Sequence, residues 1–330
     1  MKKTIGVFLF AALFVTMAAA AAFAKPEAVI KFGYSASDKE ANFITFKEAF
    51  KDYVEKESNG RILVELFPNA QIGGERQMME GMTIGTVEMA MLSPGIAAGL
   101  APKFQVLDLP YLFKNRDVAY KTLDGELSNI LNEQLVPKGV RLVCFAENGF
   151  RNITNNKAPI KRPEDLKGVK IRVQPIPAHI ELFKAFGATP TPIDFGELYT
   201  ALLQKTVDAQ ENPITLIYSS KLYEVQKYLS MTEHVYAPSA LFISERFFKG
   251  LPEDLQKIVM DGGANFRNAS RTNQQKAAQD LVGELEKAGV EVYYLTDEEK
   301  SAFMEAAAPV YKTMESVLGA ELIELARSGN

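Results

Sequence analysis

The sequence predicts a mixed α/β fold in two domains, with parallel strands and helices packed against them. Three observations predict it. Strand-like alternation at 29–34, 61–67 and 87–92 is separated by two stretches of helical periodicity, an order that implies parallel pairing through right-handed crossovers. Of 330 residues, about 306 follow Ala24, enough for two domains of ordinary size. The texture changes at Asn148-Gly149-Phe150-Arg151-Asn152, which places a crossing between domains there.

Residues 1–24 read as an export signal. Lys2 and Lys3 make a basic start, 5–22 is almost wholly apolar, and Ala22-Phe23-Ala24 is a small-x-small cleavage site. An uncleaved anchor is the alternative that the length just allows. The Ala-rich end favours cleavage after Ala24. No later stretch is long and apolar enough to span a bilayer.

The first strand, 29–34, leads into Ser35-Ala36-Ser37-Asp38, which offers helix N-caps. Phe43, Phe46, Ala49, Phe50, Tyr53 and Val54 recur at helical spacing and read as a core face. Asn59-Gly60 ends that helix before the second strand, 61–67. Gly73-Gly74-Glu75-Arg76 opens the next helix, and the third strand, 87–92, turns off at Ser93-Pro94-Gly95. Ser35 and Ser93 therefore stand at carboxyl ends of parallel strands, where ligands of such sheets sit.

Further along, 124–136 reads as a short helix, 140–146 as a strand, and Ile153-Thr154-Asn155 as a strand resumed after the crossing. A small helical start at 163–168 feeds the basic strand Val169-Lys170-Ile171-Arg172-Val173. Helices follow at 177–186 and 195–204, the second with Asp194 as N-cap. Residues 225–243 read as extended chain. Residues 252–288 form either one very long helix or two bent at Gly262-Gly263. A strand at 291–295 precedes a last helix, opened by Thr296-Asp297-Glu298-Glu299 and running towards Leu318.

Without Lys2 and Lys3, 35 basic residues face 41 acidic ones, a net charge of about −6. That argues against nucleic acid as a partner, and it leaves any anion to be held by local arginines. The one cysteine, Cys144, lies in an apolar run and reads as a packed strand residue, with no internal disulfide. His179 and His234 are far apart in sequence, so a zinc site is not predicted. His179 sits near the basic strand and could face a ligand, although a packed or surface histidine is the first reading. There is no Gly-x-Ser-x-Gly elbow and no dinucleotide fingerprint, and Gly73-Gly74 lacks the Lys-Ser/Thr of a phosphate loop. No cofactor is predicted.

The arginines remain. On its strand, Arg172 shares a face with Lys170 and Gln174 while Ile171 and Val173 point the other way. The pattern leaves open whether Arg172 is buried or a solvated charge. Arg151 follows Gly149-Phe150 at the crossing. Asn212 precedes Pro213, which biases its backbone away from the helical region. A guanidinium and an amide directed at one point suit a carboxylate, because the planar fork of arginine matches two oxygens. The stretch 165–213 therefore reads as a binding site for a small organic acid.

Several motifs carry a family resemblance. They are 67–76 (Phe-Pro-Asn-Ala-Gln-Ile-Gly-Gly-Glu-Arg), Gly149-Phe150-Arg151-Asn152, 168–173, Gly187-Ala188-Thr189-Pro190-Thr191-Pro192 followed by 195–202, Val207-Asp208-Ala209-Gln210-Glu211-Asn212-Pro213, and 223–228. On these the chain resembles the solute-binding proteins of TRAP (tripartite ATP-independent periplasmic) transporters, the DctP type, from Phe32-Gly33 to about Glu324. The resemblance implies a periplasmic binding protein fold (type II-like): two α/β lobes, crossing strands, a long inter-lobe helix and hinge closure on ligand. The lobes would be 25–148 with about 238–277, and 149–237 with about 278–330. Arg172 would be the main carboxylate clamp and Arg151 its support. Asn212 would be the family's asparagine, and Phe195 the aromatic packed on the ligand. Gln174 would line the pocket, and Ser35 and Ser93 would reach in from the first lobe. Two departures bear on fine specificity: Ala209 stands where the family often has glycine, and the chain has no tryptophan.

The implied role is transport, not catalysis. A periplasmic monomer would capture a small carboxylate, a sugar acid or a C4-dicarboxylate, and deliver it to TRAP permease membrane subunits. A bulkier keto or aromatic acid is the alternative, with Phe150, Phe195 and Tyr236 as an apolar end to the pocket. An exported sensory module and a hydrolase are more remote; no nucleophile–base pair is recognisable for the latter.

Overall fold

The computed structural model describes residues 25–329; the expected export signal lies outside them. One sheet of nine strands organises the described chain. In chain order these are β1 (Ala28–Tyr34), β2 (Ile62–Phe67), β3 (Met89–Leu92), β4 (Val140–Asn155), β5 (Lys170–Val173), β6 (Thr189–Pro192), β7 (Ala209–Asn212), β8 (Tyr228–Ser244) and β9 (Glu291–Tyr294). The spatial order is β2-β1-β3-β8-β4-β7-β5-β6, with β9 paired to β8. As the alternation predicts, β1 pairs in parallel with β2 and β3. A second parallel group, β7-β5-β6, forms at the other end. Between them β4 and β8 run antiparallel to each other and pass through both groups. The result is two α/β lobes sharing two strands.

Three expectations change in the structure, and one element is new. First, β4 is one continuous 16-residue strand rather than two pieces. Its register with β8 shifts between Leu142 and Cys144, between Glu147 and Gly149, and between Arg151 and Ile153. Such irregularities bend a strand without breaking its pairing, so the Asn148-Gly149 texture marks a bend. Second, the first helix starts later than Ser35–Asp38. The Glu40 carboxylate accepts from the Asn42 N–H and caps the helix Ala41–Phe46, while Ser37 accepts from the Lys39 N–H in a turn. Third, 195–204 is a tight turn, Phe195–Glu197, leading into the helix Leu198–Leu203, and the Asp194 side chain makes no capping bond. The new element is β6, an edge strand Thr-Pro-Thr-Pro, where prolines are tolerated because the missing N–H faces no partner.

The long segment is a single 35-residue helix, Glu253–Lys287. Its glycine pair marks close packing, not a bend. A methyl on Gly262 would meet Val54 Cγ2 at 2.7 Å, and one on Gly263 would run into Val143 of β4. The last predicted helix, Asp297–Leu318, opens with a reciprocal cap between Thr296 and Glu299. A further helix, Ala320–Arg327, turns back onto the helix Glu126–Leu135 and the segment Pro102–Asp108. The phenylalanine stripe is core: Phe46 and Phe50 are fully buried and stack 4.7 Å apart. Cys144 is buried and free.

Candidate ligand-binding site

β5 lies between β7 and β6 and brings Arg172 to the centre of the second lobe, opposite Gln210 and Thr191. The question left by alternation is answered by burial: Arg172 is 1% exposed. Its Nε donates to the Ile193 carbonyl at 2.8 Å. Its Nη1 is buried and has no partner. The guanidinium carbon lies 5.9 Å from the centre of the Phe195 ring. Burial pushes the Arg172 pKa down to about 10, with Glu211 acting against that push and Arg151 adding to it. A guanidinium held dry with an open donor is a group that an anion would stabilise.

Arg151 is used differently. Its Nε and Nη2 grip the Glu211 carboxylate, with Nη2–Oε1 at 2.9 Å. Nη2 also donates to the Glu211 carbonyl at 2.7 Å and to Asn212 Oδ1 at 3.1 Å. Burial alone would raise the pKa of Glu211. Arg151, His179 and His234 overcome burial and hold it well below the usual carboxylate range. Asn212 passes the constraint on, its Nδ2 donating to Gln210 Oε1 at 2.6 Å. Gln210 in turn donates to the Thr154 hydroxyl at 2.8 Å. This buried polar chain fixes the loop end of β7.

In front of these groups lies a small cavity of about 30 Å³ between the lobes. Ser35, Glu75 and Ser93 line it from the first lobe, and Gln174, Phe195 and Asn212 from the second, with Asn148 and Ser239 on the shared strands. The lobes meet directly across it. Gln174 Nε2 donates to Ser93 Oγ at 2.6 Å, and Arg76 donates to the Pro175 carbonyl at 2.8 Å. Ser93 donates through its N–H and its hydroxyl to Glu75 Oε1, at 3.0 and 3.3 Å. Burial raises the Glu75 pKa, and the Ser93 bonds lower it only in part.

The structure thus brings Phe195, Gln174, Asn212, Ser35 and Ser93 to one cleft, with Arg172 beside Phe195 and Arg151 behind Asn212. Tyr236 is not there. Its hydroxyl donates to Glu147, and its ring packs edge-on against Phe113 and Phe150 at 5.7 and 5.3 Å. Phe150 lines a separate cavity beside Arg116. The reason is the register shift between Glu147 and Gly149: beyond it Tyr236 and Phe150 are paired across β8 and β4, and both packing contacts fall away from the cleft. Sequence reasoning missed Glu75, Asn148, Ser239 and Glu211. Only Glu211 carried a signal, an acid within a strand that packs on both sides.

Two lobes shut over a polar cleft, with a buried guanidinium beside it, are the build of a solute receptor. The chain belongs to the DctP family, bacterial extracellular solute-binding protein family 7, whose model matches residues 32–317. It is 38% identical over 277 residues to the 2,3-diketo-L-gulonate-binding periplasmic protein YiaO of Escherichia coli K12, covering 84% of each chain. A TRAP periplasmic solute-binding protein from Polaromonas sp. JS666, bound to D-erythronate, is similar in structure with a TM-score of 0.88 and 35% identity, covering 91% of this chain and 98% of that one. One from Sulfurospirillum deleyianum with bound succinate has a TM-score of 0.88 at 30% identity, covering 92% and 100%.

Proposed function

We propose that this protein captures a small hydroxylated carboxylate, a sugar acid, in the cleft between its lobes and presents it to the membrane subunits of a TRAP permease. It does so in the periplasm, after cleavage behind Ala24, and breaks no bond. The lobes are 25–148 with about 238–277, and 149–237 with about 278–330. The observation that carries the reading is the buried, unpartnered Nη1 of Arg172. A carboxylate placed there makes charge-assisted hydrogen bonds in a dry site, where they are strong. Arg151 supports the clamp through Glu211 and Asn212, Phe195 packs on the carbon chain, and Gln174, Ser35 and Ser93 meet the hydroxyls.

Hydroxyl-rich guests are favoured over C4-dicarboxylates by the lining. One open guanidinium, Arg172, stands beside the cleft, whose lining otherwise offers serines, amides and Glu75, so a second carboxylate would be desolvated without a cation. The bulkier aromatic alternative loses two of its three walls, since Phe150 and Tyr236 lie elsewhere. Calorimetric titration with D-erythronate, gluconate and succinate tests the proposal. Binding of a hydroxy acid with weaker or no binding of succinate is expected. Stabilisation by neutral sugars and by no carboxylate would overturn it.

A further inference from the structure

The chain has two histidines, and both lie against Glu211. They are not equivalent. His234 sets Nε2 3.1 Å from Glu211 Oε2 and Nδ1 2.8 Å from the Thr232 hydroxyl. A hydroxyl can donate as well as accept, so a neutral ring satisfies both sides. His179, 1% exposed, has a carboxylate on each side. Its Nε2 lies 3.2 Å from Asp108 Oδ1 and its Nδ1 3.7 Å from Glu211 Oε1. The Glu211 contact is too long for a hydrogen bond and neither ring nitrogen makes one, so charge rather than directed bonding holds the ring there.

A neutral imidazole has one N–H and one lone pair. Between two buried carboxylates its lone pair would face one of them, in an interior that screens poorly. An imidazolium turns an N–H to each. Asp108 is itself 4% exposed, and its Oδ1 is the oxygen that His179 approaches. Among the described residues the other charges nearby are engaged elsewhere, and Arg172, which also feels Glu211, donates to the Ile193 carbonyl. On the same helix, Glu181 and Lys184 pair with each other at the surface. From β4, Arg151 grips Glu211, and from β8, His234 approaches the other Glu211 oxygen.

We infer that His179 is an imidazolium in the folded protein at neutral pH, a positioning residue that ties Asp108 to the carboxylate holding Arg151 and so links the anion site to a proton. Burial opposes its charge, but Asp108 and Glu211 outweigh burial and raise its pKa above the ordinary value. The stability it contributes is then complete below about pH 6.5 and is lost as pH rises through the folded value. The consequence for capture rests on the proposed function: the proton adds positive charge behind Arg151 and Arg172, and its loss weakens the hold on an anion.

Nitrogen-15 labelling of the histidines tests the first part directly, because only two rings contribute and His179→Gln or His234→Gln assigns them. The His179 nitrogens should report an imidazolium at pH 7 and titrate above about 6.5. A neutral tautomer at pH 7 would overturn the inference. For the second part, D-erythronate affinity is followed by calorimetry from pH 6 to 9. It should weaken by about tenfold as His179 titrates and stay flat across that range in His179→Gln. Unchanged wild-type affinity across the titration would break the link between proton and site. Absence of D-erythronate binding at every pH would count against the sugar-acid reading alone, with the ring titration still deciding the proton.

Discussion

Arg172 and Arg151 show how two arginines in one site do different work. Arg172 has an open donor, while Arg151 is committed to Glu211 and Asn212. Their variants should therefore fail differently. Arg172→Lys keeps charge but loses the fork, and carboxylate affinity should fall about tenfold or more, roughly 1.4 kcal/mol or above, by calorimetry. Glu211→Gln leaves a buried guanidinium unpaired and should cost about 3–5 kcal/mol of stability in urea denaturation. Its pH dependence has a definite sign. A depressed carboxylate stabilises above its unfolded pKa of about 4.3, and that contribution is lost as pH falls through the folded value. The gap between wild type and Glu211→Gln should therefore narrow only on strong acidification.

At the scale of elements, packing decides what propensity alone would misjudge. Gly263 sits inside the long helix, where alanine is intrinsically better by about 1 kcal/mol. Its place against Val143 reverses the sign, and Gly263→Ala should destabilise by about 1–3 kcal/mol in urea. The same logic explains what could be read from sequence. Strands with clean alternation, such as β1 and β2, and a helix with a strong cap, such as Asp297–Leu318, were legible because local signals agree with the fold. β6 was not, because two prolines mask an edge strand. The continuity of β4 was not, because its bends resemble loop sequence. In the site, the arginines, Asn212 and Phe195 could be placed by motif. Tyr236 could not, since its direction depends on strand irregularities that no local pattern reveals. Asn148 and Ser239 were missed for the same reason.

For the whole molecule, the shared strands set both motion and cooperativity. The register irregularities of β4 and β8 lie where the lobes join, which is where a hinge between them would bend. Because the hydrogen-bonded sheet is never interrupted, heating should give one calorimetric transition rather than two. Two resolved peaks in the ligand-free protein would mean that the lobes melt separately.

Continuity of β4 and β8 has a consequence for how the polypeptide can be divided. Each lobe is assembled from separated stretches of sequence, so no single scission yields a complete half. A fragment stopping at Asn148 would keep the first part of β4 but have no β8 to lie beside it. Its unzipped margins would invite self-association. Any heritable rearrangement of this receptor must therefore move both halves together.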